Sequence, residues 1–78
     1  MDFKEFGYFV KKIRKEKGIS QRELCEDVQI SRATLSAFEN GKGEVGFRKV
    51  LQVIDYLDFE LSPREKSLFP TLEDLQNE

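Results

Sequence analysis

"SQRELCEDVQISRATLSAFENG", residues 20–41, reads as two short helices with almost nothing between them. Ser20 and Glu23 have the spacing of a capping box. Leu24 and Val28, four apart, face one way, with the small Cys25 beside them. These residues predict a helix over about 21–28 that stops at Gln29-Ile30. Ser31 is a good N-cap for the next helix. Leu35 and Phe38, three apart, point inward from it. Asn40-Gly41 tolerate positive φ and end it. The outer face of this second helix is unusual. Arg32, Ala33, Ser36 and Ala37 are mostly short, where a solvated helix usually carries long charged side chains.

Two short helices joined by a tight turn are the core of a helix-turn-helix. In such a unit the second helix lies in the DNA major groove and the first crosses the backbone. A groove roughly 12 Å wide admits a helix whose side chains do not hold it off the bases. Ala33 and Ala37 let the backbone approach, and their methyl groups can meet a thymine methyl. Arg32 can reach guanine through two parallel hydrogen bonds, and Ser36 can bond either base type. Gln21 and Ser31 stand at helix N-termini, where backbone N–H groups attract phosphate. Lys42, just past the reading helix, suits a phosphate contact.

Outward from this unit, Asp2 and Glu5 have capping-box spacing, and Phe6, Phe9, Val10 and Ile13 recur at helical intervals. Lys15, Lys17 and Gly18 form a helix end. The first helix is expected at about 3–17. Residues 41–46, GKGEVG, read as a connector, because they lack a Walker pattern. Phe47, Val50, Leu51, Ile54 and Leu57 predict a helix over about 47–57 with one apolar stripe.

Beyond it, Phe59 and Leu61 alternate with Asp58 and Glu60 in a strand pattern. Alternatively, Ser62-Pro63-Arg64-Glu65 opens a fifth helix, and Thr71–Asp74 caps one last turn after Pro70. Asp58–Leu61 has three readings: a plain helix exit, a strand pairing with its copy in a dimer, or a docking edge for another protein. A chain this small is marginal alone, which favours the dimer. Phe59 and Leu61 are therefore the candidate dimer or partner contacts. The expected fold is all-α, four or five short helices around a helix-turn-helix, with a short C-terminal strand as an open alternative. Residues 1–62 form the DNA-binding domain in this reading, and 63–78 an acidic tail that is flexible or partner-binding.

Composition narrows the classes. At 78 residues the chain fits one domain, and such a domain buries only about 60% of its unfolded surface. Seven Phe and 38% hydrophobic residues suffice for a small core and exclude a disordered chain. The net charge of −2 argues against a general polyanion binder. Its distribution is uneven: residues 11–22 hold six cations and one anion, and residues 63–78 hold two cations and four anions. A lone Cys fits a reducing compartment. No apolar run approaches the roughly 20 residues of a membrane span, and the N-terminus lacks a secretory layout. A soluble cytoplasmic protein is expected.

There is no His and no second Cys, so a metal role for Cys25 is not expected. The paired carboxylates Glu26-Asp27 and Glu73-Asp74 cannot face each other on a helix, and no base or nucleophile accompanies them. Neither an enzyme nor a cofactor is expected. Phe3, Phe6, Phe9, Phe38, Phe47 and Phe59 read mostly as core, not as a stacking platform for single strands.

The runs "IRKEKGISQRELCEDV" (13–28) and "ISRATLSAFENGKG" (30–43) resemble the Cro/cI-type helix-turn-helix family, also called the XRE family. The order is the family's: a basic first helix, Gly18, Ser20-Gln21, then Glu39-Asn40-Gly41-Lys42. The likeness spans residues 6–61. It implies phosphate contact by Gln21 and base contact by Arg32, Ala33, Ser36 and Ala37. It also implies that Arg14 and Glu39 form a buried ion pair tying helix one to helix three. One position departs from the pattern: the turn usually carries Gly, and here it is Gln29. A retained positive φ there costs on the order of 1–2 kcal/mol; otherwise the turn is reshaped. Cys25 stands where the family usually has a small packed residue.

The segment "GKGEVGFRKVLQVIDYLDFEL" (41–61) is similar to HipB-type antitoxins, small repressors encoded beside kinase-like toxins, and the tail "FPTLEDLQNE" (69–78) looks like theirs. The expected function is a sequence-specific repressor, a homodimer on a palindromic double-stranded DNA operator, regulating its own toxin–antitoxin operon. The alternative is an interaction module that acts mainly through residues 58–78 on a kinase-like toxin.

Overall fold

A computed structural model describes residues 1–66 of the chain. Four α-helices lie in this span: α1 (Phe3–Glu16), α2 (Gln21–Val28), α3 (Arg32–Glu39) and α4 (Phe47–Tyr56). Their starts follow the local chemistry. Asp2 accepts a hydrogen bond from the Glu5 N–H (2.8 Å) at the head of α1. Ser20 and Glu23 satisfy each other's backbone N–H groups in a complete capping box at α2. Ser31 Oγ accepts from the Thr34 N–H (3.1 Å) at α3. Each such cap contributes about 1 kcal/mol.

The four ends share one device. Gly18, Gln29, Gly41 and Asp58 all take positive φ, between 63° and 71°. The N–H of the following residue then bonds back five residues: Ile19 to Arg14, Ile30 to Cys25, Lys42 to Ala37 and Phe59 to Ile54. This closure satisfies carbonyls that a helix end leaves without partners. Gly adopts the left-handed conformation without cost, whereas Gln29 and Asp58 do so against a penalty on the order of 1–2 kcal/mol. The turn at Gln29 (φ 63°, ψ 55°) thus keeps left-handed geometry without its usual glycine.

Val10, Leu24, Val28, Leu35, Phe38, Val53, Ile54 and Leu57 form the heart of the core. α1 packs on α3, and α2 packs on both α3 and α4. At the α1–α3 crossing Gly7 lies directly against the Phe38 carbonyl, where a Cβ would collide with backbone. Phe6 and Phe9 pack, half-buried, against this core, and Phe6 meets Phe38 edge-on, with ring centroids 6.0 Å apart. Phe38 itself is buried; its truncation to Ala is worth roughly 3–5 kcal/mol.

Three expectations are corrected here. First, the buried stripe of α4 is Val50, Val53, Ile54 and Leu57, so Val53 replaces Phe47 and Leu51. Phe47 occupies the first helical position and is 66% exposed. Second, residues 58–61 are neither strand nor ladder edge. Asp58 turns the chain out of α4, and Phe59 folds back edge-on against Phe9 at 5.5 Å, with Lys17 Nζ over its ring at 5.7 Å. Third, Ser62–Lys66 is not helical, so Pro63 opens no fifth helix there. Phe3 and Phe59 are partly exposed rather than core. The turn expected at Thr71–Asp74, and most of the 63–78 tail, lie outside the described residues. No described helix is long and apolar enough to cross a membrane.

Candidate nucleic-acid interface

The helix-turn-helix is α2, the left-handed turn at Gln29, and α3. Leu35, Phe38 and Glu39 are the buried side of α3. Helical geometry therefore turns Arg32, Ala33 and Ser36 outward. Arg32 and Ala33 are exposed, and Ser36 is half-buried. Ala37 is also half-buried, because the α3–α4 connector passes close to it: a Cβ on Gly43 would stand 2.9 Å from the Ala37 Cβ. The face is shallow, with Arg32 as its one long cationic side chain.

A polar network holds α3 from behind. Arg14 Nε donates to Glu39 Oε2 at 2.7 Å and Arg14 Nη2 to Oε1 at 3.0 Å, a two-pronged pair with both side chains buried. Arg14 Nη1 donates to the Ile19 carbonyl at 2.8 Å. Gln21 Nε2 donates to Glu39 Oε1 at 3.1 Å. The pair so joins α1, the α1–α2 turn, the head of α2 and the end of α3. No buried side-chain polar atom among the described residues lacks a partner. Such a pair is costly to break, because either charge left alone is stranded in the core.

The network also constrains the candidate phosphate contacts. Gln21 spends one amide N–H on Glu39 and keeps a second. The Ser31 hydroxyl is held locally, 2.7 Å from Thr34 Oγ1, and takes the Thr34 N–H, which leaves the Arg32 and Ala33 backbone N–H groups of the first turn of α3 for an anion. Lys42 is exposed and follows the left-handed Gly41. The sequence read Asn40 only as a helix stop; in the structure it is a junction. Its Nδ2 donates to the Ser36 carbonyl at 2.9 Å, and its Oδ1 accepts from Lys11 Nζ at 3.1 Å. No periodicity could have shown this, since Lys11 and Asn40 are 29 residues apart.

Cys25 is buried beneath the turn. Burial pushes its thiol above the ordinary range, while the Arg32 guanidinium acts weakly in the opposite sense. A thiol so held is a poor nucleophile. Among the described residues no cluster of His, Cys, Asp or Glu could hold a metal ion.

Fold and face together define an all-α helix-turn-helix of the kind that serves DNA-binding regulators. Residues 10–63 match the helix-turn-helix family, and the chain belongs to that family, in its XRE type. Solved structures share the architecture. The restriction-modification controller protein C.AhdI from Aeromonas hydrophila superposes with a TM-score of 0.70 at 29% identity, over 76% of this chain and 89% of that one. A single-site variant of HipB in complex with an O2 20-mer gives 0.76 at 21% identity, over 86% and 93%. The wild-type restriction-modification controller protein C.Esp1396I gives 0.66 at 21% identity, over 96% and 90%. No curated protein sequence matches the chain.

Proposed function

We propose that this protein is a sequence-specific transcriptional repressor that binds double-stranded DNA as a homodimer. The observation that carries the reading is the outward face of α3: short side chains and one arginine, held rigidly by the buried Arg14–Glu39–Gln21 network. Arg32 supplies a bidentate contact to guanine. Ala33 and Ala37 supply methyl groups and clearance, and Ser36 a hydroxyl. Gln21, the N-terminus of α3 at Ser31, and Lys42 hold phosphate oxygens. No cofactor takes part.

Two copies place two reading helices on half-sites about one helical turn apart, so the operator is palindromic. The apolar side chains left exposed at Phe47, Leu51, Phe59 and Leu61 are the dimer surface in this reading. The finer role is that of an antitoxin repressing its own operon. It is supported by the resemblance of residues 41–61 to HipB-type proteins and by the likeness of fold to HipB, one structure of which is a HipA–HipB–O2–O3 complex. Residues 58–78 then also serve as the contact for a kinase-like toxin, and residues 1–62 as the DNA-binding domain.

Selection of binding duplexes from a random pool tests the reading. A palindromic consensus with half-sites one turn apart is expected, and failure to recover any consensus would contradict it. Removing residues 63–78 separates the two roles: operator binding persists, and neutralisation of a co-encoded toxin is lost.

A further inference from the structure

Lys4, Tyr8, Lys11 and Lys15 lie at intervals of four, three and four along α1, which places them in one row on the helix surface. The row flanks α3 rather than the core. Lys11 Nζ reaches the α3 cap at Asn40. A Cβ built on Gly41 would stand 2.7 Å from Lys4 Cγ and 3.4 Å from the Tyr8 hydroxyl. Lys4 and Tyr8 therefore border the same α3 exit from which Lys42 projects. At its other end the row approaches the α1–α2 turn, whose next residues are Ser20 and Gln21.

No ion pair among the described residues offsets these charges. Among the described residues the ion pairs are Arg14–Glu39, Lys17–Asp58 and Arg22–Glu26, and none involves Lys4, Lys11, Lys15 or Lys42. Lys11 donates instead to a neutral amide, which holds its ammonium beside the reading helix without cancelling its charge. Asn40 passes that hold to the Ser36 carbonyl. Of the acids on α1, Glu5 and Glu16 fall about 100° round the helix from Lys4 and Lys15, outside the row.

Given the DNA-binding reading, on which this step rests, we infer that the Lys4–Tyr8–Lys11–Lys15 row is a second phosphate-binding flank. It grips one strand of the duplex beside the reading helix and extends the footprint beyond α2 and α3. Each lysine contributes counterion release, and Tyr8 a neutral hydrogen bond to a phosphate oxygen. The flank contributes to affinity but not to choice of sequence.

The experiment measures binding of the full chain to its selected duplex and to a scrambled duplex over a range of salt concentrations. Lys4→Gln/Lys11→Gln removes four lysines from the dimer, two from each copy, and is expected to make the slope of log K against log salt shallower by about 3–4 and to lower affinity on the order of 10²- to 10⁴-fold near 0.1 M salt, on both duplexes. Tyr8→Phe should weaken both duplexes slightly with the slope unchanged. Lys17→Gln/Lys66→Gln makes the same change in net charge off the row, Lys17 facing Asp58 and Phe59 and Lys66 lying beyond α4, and should leave the slope nearly intact. Thermal unfolding of each variant checks that the fold survives. If the wild-type chain selects a duplex but both double variants change the slope equally, or neither does, the flank is wrong and the reading of α3 stands. If the wild-type chain binds no DNA, both fall.

Discussion

The outward face of α3 and the groove at the head of α4 are both uncovered, and they differ in every other respect. The first is built from Arg32, Ala33 and Ser36, with short side chains over a rigid polar support. The second is a hollow of about 450 Å³ lined by Met1, Phe3, Phe6, Phe47, Val50 and Leu61, with few polar atoms. A shallow polar face lets a stiff, charged partner come close to the backbone. An open apolar groove loses free energy while it faces water and gains by contact with another apolar surface. Under the proposed function the two surfaces divide the work: one for the duplex, the other for protein.

The division can be broken at its support. Glu39→Ala strands the Arg14 guanidinium and should cost about 3–5 kcal/mol. For a domain of this size each kcal/mol corresponds to roughly 4–8 °C in Tm, so calorimetry should show a loss well above 10 °C. A small shift would mean that α3 is not held from behind. Arg32→Ala, on the exposed side of the same helix, should leave Tm nearly unchanged. Its cost is on the order of 1–3 kcal/mol at one base position in each half-site. Equal loss across all operator variants would make Arg32 a phosphate contact instead.

Gln29→Gly relieves the left-handed strain in the turn and should stabilise the chain by about 0.5–1 kcal/mol, after the greater backbone entropy of glycine is offset. Destabilisation would show that the Gln29 side chain, whose Nε2 donates to the Glu26 carbonyl at 3.3 Å, outweighs the strain. The smallest effect on the monomer belongs to the groove side. Phe47→Ser should change intrinsic stability by no more than about 0.5 kcal/mol, because Phe47, which lines the groove, is 66% exposed. Sedimentation should show weaker self-association, and unchanged association would remove Phe47 from the dimer surface.

Much of this architecture was legible in the sequence. The caps at Asp2, Ser20 and Ser31 and the stops at Gly18 and Gly41 are local signals, and all four helix spans lie within one or two residues of expectation. Legibility failed where the outcome depends on partners distant in sequence. The apolar stripe of α4 was drawn too wide, since periodicity cannot tell which end of a helix overhangs its neighbours. Phe59 and Leu61 alternate with acids as a strand would, yet the left-handed Asp58 and the pull of Phe9 on Phe59 decide the path instead. The Lys11–Asn40–Ser36 chain and the hold of Gln21 on Glu39 carry no sequence signature, because each joins separate helices. The positive φ at Gln29 was left open by the sequence; the structure keeps it.

The clearance of the α3 face is tested most directly at Ala33, its exposed small residue. Ala33→Glu adds length and negative charge without touching the core, so Tm should move by only a few degrees. Its affinity for the selected operator should fall to the non-specific level, a loss on the order of 10³-fold or more. Selective binding that survives this substitution would show that the duplex is not read at close range by α3.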